Sequence, residues 1–215
     1  MLQARPCHPA HQEQTPLQLA TPGILTASEP PVTLWPFWLG CPEADAVLAN
    51  LLASLPWEQP VLRICGKEVP APRLTAWHGE RGCHYRYSGR LHLPAPWTPT
   101  LEYLRRRIEE TTGQRFNAVL ANLYRDGRDG VGWHADNERE LGPDPVVASI
   151  SLGAPRRFRF RSKDRTRRLD MMLEHGSLLL MAEGTQTAWE HCLPRSTRAV
   201  GMRVNLTFRR VVETG

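Results

Sequence analysis

The feature that most limits the possible folds is a block of short extended segments in the second half of the chain. These segments are NAVLANLY (Asn117–Tyr124), VVASISLGA (Val146–Ala154), RRFRFR (Arg156–Arg161), GSLLLMA (Gly176–Ala182) and RVNLTFR (Arg203–Arg209), and Gly, Pro and charged residues separate them. Each is rich in β-branched, aromatic or alternating apolar residues, which favours strands. The second half of the chain therefore predicts a set of packed β-sheets.

Two helices precede this block. In EADAVLANLLASL the apolar residues recur at helical spacing and leave one apolar stripe. In TPTLEYLRRRIEETTG, Thr98 is a capping residue, Pro99 suits the first helical position and Gly113 ends the helix. A run of strands after helices predicts an α+β fold, a β-sandwich or jelly roll with helices packed on one outer face.

The N-terminal region differs in composition from the rest. Residues 1–31 contain six prolines with several Gln and Ala, and they show no apolar period. We expect a flexible N-terminal tail over 1–31 and a single domain over 32–215, because 215 residues would be cramped as two domains.

Charge and cysteine usage limit the partners and the compartment. Lys and Arg together number 27 against 22 Asp and Glu, and all but Lys67 and Lys163 are arginine, which suits a polyanionic partner such as nucleic acid. The five cysteines form no CxxC pair, which argues against a disulfide framework and favours a reducing compartment. With no apolar run long enough for a membrane span and no signal peptide, we expect a cytoplasmic monomer that does not act at a membrane.

A candidate metal site begins in VGWHADNERE, where His134 and Asp136 would share one face of an extended segment. Imidazole and carboxylate together suit a divalent first-row metal, and two His with one carboxylate is the non-haem Fe(II) arrangement. On its own, the His-x-Asp pair is more typical of a solvated loop than of a metal site. A third ligand from the C-terminal half would be His175 or His191, and we favour His191.

The alternation in RVNLTFR places Arg203, Asn205, Thr207 and Arg209 on one face and apolar residues on the other. A solvated polar face would make this an ordinary outer strand. An inward polar face would instead require an anion between the arginines, because an unpaired buried charge is costly, and a dicarboxylate would match guanidinium geometry. Asn122 and Tyr124 share a face of NAVLANLY and would add hydrogen-bonding groups to the same pocket.

Taken together, these motifs resemble a known family. NLYRDGRDGVGWHADNERELGP, ASISLGAPRRFRFR, LEHGSLLLM, HCLPR and RVNLTFR occur in the order and spacing of the AlkB family of Fe(II)- and 2-oxoglutarate-dependent dioxygenases, over roughly residues 30–210. The resemblance is greatest to the branch that repairs alkylated DNA. It implies that residues 32–215 form an AlkB-like dioxygenase domain, a double-stranded β-helix (jelly roll), with a nucleotide-recognition segment over 60–95.

The resemblance implies a role for each residue of the candidate site. His134, Asp136 and His191 would be the catalytic iron ligands. Arg203 would pair with the distal carboxylate of 2-oxoglutarate, and the co-substrate pocket would also include Asn122, Tyr124, Asn205 and Arg209. The cofactors implied are Fe(II), 2-oxoglutarate and O2.

The resemblance also implies how a base is held. Tyr87 would stack on a flipped base against His134, with Tyr85 and Ser88 nearby. Glu138 matches an acidic position that contacts the exocyclic amine of the methylated base. RICGKEVPAPR has the spacing of a hairpin that probes DNA, with Ile64, Cys65 and Gly66 at its tip and no aromatic wedge.

The expected function is oxidative removal of N-methyl groups of the N1-methyladenine and N3-methylcytosine type. Formaldehyde would be released while 2-oxoglutarate is converted to succinate and CO2. DNA, single- or double-stranded, is the expected partner. The alternatives are an RNA-directed demethylase of the same family and a non-catalytic nucleic-acid-binding module.

Overall fold

The computed structural model describes residues 13–21, 23–64, 66–87 and 90–212. Within them the strands, numbered along the chain, form two large sheets and two hairpins. The helices are α1 (Cys41–Ser54), α2 (Pro99–Thr112), α3 (Thr185–Ala188) and a short 3-10 turn (Arg139–Leu141). The two long helices fall where the sequence predicts them, because their start and stop signals are local. Thr98 accepts a hydrogen bond from the Leu101 N–H at 3.2 Å, and Gly113 ends α2 at a φ of 70°.

The larger sheet has eight strands. In spatial order they are β2 (Gln18–Thr21), β3 (Ile24–Ser28), β4 (Pro31–Trp35), β15 (Ser177–Met181), β12 (Val147–Gly153), β17 (Arg203–Arg209), β10 (Ala118–Tyr124) and β7 (Leu74–Gly79). All of its pairings are antiparallel. We call it the major sheet.

The second sheet, here the minor sheet, has five strands. In spatial order they are β1 (Glu13–Gln14), β14 (Arg167–Leu173), β13 (Arg156–Ser162), β16 (Trp189–Leu193) and β11 (Val131–His134). Its pairings are antiparallel except for β1, which runs parallel to β14. Two hairpins stand apart from both sheets: β5 (Val61–Ile64) with β6 (Lys67–Pro70), and β8 (Tyr85–Tyr87) with β9 (Arg90–His92).

Strand alternation gives the major sheet two different faces. Val204, Leu206 and Phe208 of β17 belong to one apolar cluster with Leu51 of α1 and Leu104 of α2. The alternate residues of the same strand, together with those of β10, line a cavity instead. Strand β17 is therefore buried on both faces, so its polar residues face inward and the outer-strand interpretation of RVNLTFR is wrong.

The N-terminal region differs from the tail expected over residues 1–31. Residues 13–31 contribute strands β1, β2 and β3 and the first residue of β4, and Ala27 is 6% exposed. Strand β3 pairs along β4, and the Thr15 N–H donates to the Arg168 carbonyl at 2.7 Å. The bond between Thr15 and Arg168 joins segments far apart in sequence, which composition cannot reveal. Residues 1–12 lie outside the described part of the chain.

None of the helices in the described residues is long and apolar enough to cross a membrane.

Candidate metal and co-substrate site

A cavity of about 470 Å³ is lined by residues of both large sheets. The major sheet contributes polar residues from β10, β12 and β17, and the minor sheet contributes β11, β13 and β16. Its polar and titratable lining includes Asn122, Tyr124, His134, Asp136, Glu138, Ser149, His191, Arg195, Arg203, Asn205, Thr207 and Arg209.

Three of these side chains form a compact cluster of ligand atoms. His134, Asp136 and His191 each offer one nitrogen or oxygen, and these atoms lie within 4.8 Å of one another. His134 is the last residue of β11 and is the register partner of His191 on β16. Asp136 lies beyond the end of the strand, so the loop, and not strand alternation, directs its side chain.

Both histidines have features that suit metal binding. The Nδ1 of His134 is 2.8 Å from the Gly132 carbonyl, which can only accept, so Nδ1 donates to this carbonyl and Nε2 is the nitrogen left for a metal. Burial lowers the pKa of His191 to about 3. His191 is therefore neutral near pH 7, as a metal ligand must be.

The Asp136 carboxylate is ionised although it is buried. Burial raises its pKa, but the charge and hydrogen bond of Arg209, together with the neighbouring His191 and His134, outweigh burial and lower the pKa to about 2. The Arg209 guanidinium donates to Asp136 Oδ1 at 2.9 Å, and both side chains are at most 5% exposed. Arg209 thus lines the cavity, as expected, but its ion-pair partner is the candidate metal ligand.

The donor set fits a first-row divalent metal. Two imidazoles and one ionised carboxylate on one side of a cavity would leave a bound metal further coordination positions open toward the cavity. This is the donor chemistry expected for non-haem Fe(II).

Arg203 is the second charged feature of the cavity. It is 2% exposed and donates to Ser151 Oγ at 2.8 Å, while its Nε has no hydrogen-bond partner. Burial lowers its pKa to about 10. The Arg203 guanidinium carbon lies 5.4 Å from the centroid of the Tyr124 ring. Within the described residues, no carboxylate forms an ion pair with Arg203. A charged guanidinium in this setting is a receptor for an anion.

A layer of neutral polar groups adjoins Arg203 because the strand registers align them. Tyr124 on β10 is the register partner of Arg203, and Asn122 is the partner of Asn205. Asn205 donates to Ser149 Oγ at 2.7 Å, and Thr207 donates to Asn205 Oδ1 at 3.0 Å. The structure therefore brings all five expected co-substrate residues into one cavity.

His175, the other histidine considered as a third ligand, lies elsewhere. Its Nδ1 accepts the Gly153 N–H at 2.8 Å, and its Nε2 is 3.3 Å from Asp45 Oδ1. These contacts hold it at the turn before β15, away from the cluster of ligand atoms.

Several residues in or beside the site were missed by reasoning from the sequence. Ser149 and Ser151 face Asn205 and Arg203, and the alternate polar positions in VVASISLGA were the signal that could have indicated them. Gln186 accepts the Asp136 N–H through Oε1 at 2.9 Å. Nothing in the local sequence GTQTAW indicates that contact.

The expected base-binding residues are described only in part. Glu138 lines the cavity and is half-buried. Tyr85 and Tyr87 begin and end β8, and Ile64 is the last residue of β5. Gly66, at a φ of 78°, occupies the turn of the β5–β6 hairpin in a backbone conformation that favours glycine. Cys65 and Ser88 lie outside the described residues.

The β5–β6 hairpin borders the cavity mouth. Leu62 and Val69 are register partners across the hairpin, and both line the cavity with Pro70, Pro72 and Arg73. Val69 is also 41% exposed, so it is available to a molecule that enters from solvent.

Comparison with known proteins gives a consistent result. The family model described as the 2OG-Fe(II) oxygenase superfamily matches residues 31–209. Alpha-ketoglutarate-dependent dioxygenase alkB homolog 3 of Rattus norvegicus is 44% identical over 190 residues, which cover 84% of this chain and 64% of the relative. DNA oxidative demethylase ALKBH2 of Mus musculus is 44% identical over 186 residues, covering 81% of this chain and 78% of the relative.

More distant similarity supports the fold. ALKBH2 of Arabidopsis thaliana is 34% identical over 185 residues, covering 74% of this chain and 59% of the relative. The solved structure of OsALKBH1 superposes with a TM-score of 0.60 at 17% identity, covering 91% of this chain and all of that one. The matched part of the chain spans slightly less than two thirds of the mammalian alkB homolog 3 proteins.

Proposed function

Because this chain belongs to the AlkB family within the 2OG-Fe(II) oxygenase superfamily, we propose that it is an oxidative demethylase of nucleic-acid bases. Members of this superfamily use Fe(II), 2-oxoglutarate and O2. The proposed substrates are N1-methyladenine and N3-methylcytosine types of lesion, in DNA first. Relatives named DNA oxidative demethylase support this choice.

The observation that carries the proposal is the pairing of two sites in one cavity. Three ligands for a metal come from His134, Asp136 and His191. Arg203 is a buried cation with no ion-pair partner among the described residues, so it can bind a dicarboxylate. A non-catalytic binding module would gain nothing from the metal-ligand cluster or from the buried arginine, since burying charged groups without a bound metal or anion costs free energy.

Each residue has a task in the proposed reaction. When bound, Fe(II) with 2-oxoglutarate and O2 supplies the oxidation that hydroxylates the N-methyl group, so that formaldehyde, succinate and CO2 leave. His134 and His191 would hold the metal through imidazole nitrogens, and Asp136 would hold it through the carboxylate that Arg209 helps to keep ionised. Arg203 binds and orients the distal carboxylate of the co-substrate, with Tyr124, Asn122 and Asn205 beside it.

The segment over residues 60–95 is the proposed nucleotide-recognition region. It carries the two hairpins that belong to neither large sheet, and Leu62 and Val69 of the first hairpin reach the cavity. A flipped base would enter between this hairpin and the metal cluster, with Tyr87 as its stacking partner, Tyr85 and Ser88 nearby, and Glu138 toward its exocyclic amine.

Further features belong to the same proposal. The large sheets would form a double-stranded β-helix with α1 and α2 on one outer face, supported by the shared cluster of helix and major-sheet residues. Residues 32–215 would act as one domain and the protein as a cytoplasmic monomer. Among the described residues, Cys41 and Cys192 are free thiols, which supports a reducing compartment.

The decisive experiment supplies the protein with Fe(II), 2-oxoglutarate and four matched oligonucleotides that carry one N3-methylcytosine. These are DNA and RNA, each single- and double-stranded, and the products measured are formaldehyde, succinate and the restored base. We expect equal amounts of formaldehyde and restored base from DNA. His134→Ala should abolish both products while the circular dichroism spectrum stays unchanged, because the variant removes a ligand that faces the cavity.

The outcomes separate the alternatives. Turnover of RNA alone would replace the DNA proposal with an RNA-directed enzyme. Tight binding of all four oligonucleotides, without succinate or formaldehyde, would overturn the enzyme proposal in favour of a binding module.

A further inference from the structure

The loop that carries Asp136 lacks the support of a strand. Strand β11 ends at His134, so no sheet hydrogen bonds hold the backbone at Asp136 in place. The other ligands are His134 and His191, which lie in paired strands. Something other than a sheet must therefore fix the position of Asp136.

Gln186 provides such a contact from a distant part of the sequence. Its side chain is fully buried, and its Oε1 accepts the backbone N–H of Asp136 at 2.9 Å. A backbone N–H can only donate, so the amide oxygen must be the atom that faces Asp136. The amide nitrogen then points to Met181 Sδ at 3.6 Å, and Met181 lines the cavity.

The helix that carries Gln186 is itself anchored on several sides. The Asp144 carboxylate accepts the Gly184 N–H at 2.7 Å, and Thr185 Oγ1 donates to the Pro31 carbonyl at 3.0 Å. Lys163 Nζ donates to the Gln186 carbonyl at 3.1 Å. These contacts connect α3 to the loop before β12, to β4 and to the turn after β13. The backbone from which the Gln186 side chain projects is therefore held in place.

The same segment also leads into the strand of another ligand. Helix α3 ends at Ala188, β16 begins at Trp189, and His191 follows on that strand. Gln186 therefore joins the backbone of Asp136 to the segment from which His191 projects. Arg209 fixes the Asp136 carboxylate at Oδ1, while Gln186 fixes its backbone.

We propose that Gln186 is a positioning residue, which holds Asp136 at the separation from His191 that a divalent metal requires. This inference rests on the metal site of the proposed function. Outer residues that orient metal ligands typically account for about 10- to 100-fold in metal affinity, so a loss in this range is expected when the contact is removed.

The test uses the full chain in metal-free form, titrated with Co(II) as a spectroscopic probe. Gln186→Met keeps the length and the apolar contacts of the side chain but removes the acceptor for the Asp136 N–H. Thr187→Val is the matched control, because Thr187 is exposed on the same helix and bonds only Asp144, at 2.9 Å. The readouts are the Co(II) dissociation constant, the visible absorption spectrum of the bound Co(II) and the melting temperature of the metal-free protein.

We expect Gln186→Met to bind Co(II) about 10- to 100-fold more weakly, with an altered spectrum. Thr187→Val should match the unmodified protein in both properties. Wild-type Co(II) affinity and spectrum in a folded Gln186→Met would overturn the inference, whatever its melting temperature. If Gln186→Met does not fold, Gln186→Asn decides instead, since its amide is one methylene too short to reach Asp136 and should weaken Co(II) binding similarly.

The experiment also separates this inference from the one on which it depends. If the unmodified chain binds no Co(II), or if His134→Ala binds it equally well, the metal site itself is wrong. The unmodified chain could instead bind Co(II) through His134, with both Gln186→Met and Gln186→Asn binding it equally well. In that case only the role of Gln186 is wrong.

Discussion

At the scale of single residues, the two buried arginines of β17 have separate tasks. Arg209 forms an ion pair with Asp136 at 2.9 Å, which keeps a metal ligand ionised. Arg203 lies six positions earlier on the same face and bonds Ser151, with no ion pair among the described residues. Under the proposed function, the same side-chain chemistry would serve the metal at one end of the strand and an exogenous anion at the other.

Arg203→Ala should weaken 2-oxoglutarate binding by about ten- to a hundredfold, the usual scale for hydrogen bonds to a charged group. The physical reason is that the distal carboxylate would enter a buried pocket without its cation. The measurement is a 2-oxoglutarate titration of the protein loaded with Mn(II), with oligonucleotide affinity measured alongside.

Arg203→Lys provides the comparison for that prediction, because it keeps the charge but lacks the planar guanidinium group that can bind a carboxylate through two nitrogens. It should retain an intermediate affinity for 2-oxoglutarate, while oligonucleotide affinity stays unchanged in both variants. An undiminished 2-oxoglutarate affinity in folded Arg203→Ala would remove Arg203 from the co-substrate pocket.

At the scale of elements, the β5–β6 hairpin combines exposure with access to the cavity. Its strand β6 is exposed along its whole length, yet Val69 and its register partner Leu62 line the cavity. An apolar side chain that remains exposed at the mouth of a cavity is suited to cover an incoming base.

Val69→Ser should raise the KM for a methylated oligonucleotide by about fivefold, equivalent to ~1 kcal/mol of lost apolar contact. Uncoupled turnover of 2-oxoglutarate without nucleic acid should stay unchanged, since the metal and Arg203 are untouched. Steady-state kinetics on single-stranded DNA measures both quantities.

Val61→Ser is the matched control, because Val61 lies on the same hairpin and is 37% exposed but does not line the cavity. It should leave the oligonucleotide KM unchanged. Equal effects of the two substitutions would mean that the hairpin acts through its stability and not through contact with the base.

At the scale of the whole molecule, positive charge is carried almost entirely by arginine and is spread widely. The formal net charge is +5, and several surface arginines are already paired, such as Arg159 with Asp170 and Arg161 with Glu190. Arg195 and Arg198 are exposed, and Arg195 also lines the cavity. Phosphate contacts are therefore expected around the cavity mouth and not uniformly over the surface.

Affinity for single-stranded DNA should fall with salt, with a slope of about −0.7 per phosphate contact on a log–log plot. Affinity for 2-oxoglutarate should barely change over the same range, because a buried ion pair is poorly screened. Fluorescence anisotropy across a salt series measures the first quantity and calorimetry the second. A flat salt dependence for the oligonucleotide would mean that the charge serves solubility alone.

The sequence by itself determined the features that depend on neighbouring residues. Strand β17 occupies the predicted bounds Arg203–Arg209, because side-chain alternation is local. Helix α2 follows Thr98 and stops at Gly113, because capping bonds span a few positions. The family also followed from the sequence, since its motifs are short and ordered.

Only the tertiary structure decided which distant groups meet. It paired His134 with His191 and placed His175 beside Asp45, a choice that local pattern left open. It gave Asp136 its two partners, Arg209 and Gln186, which are 73 and 50 residues away. It also placed strands β1, β2 and β3 of the N-terminal region in the sheets. Backbone pairing and buried charge act through space, so the contacts that create this site do not appear in any single stretch of the chain.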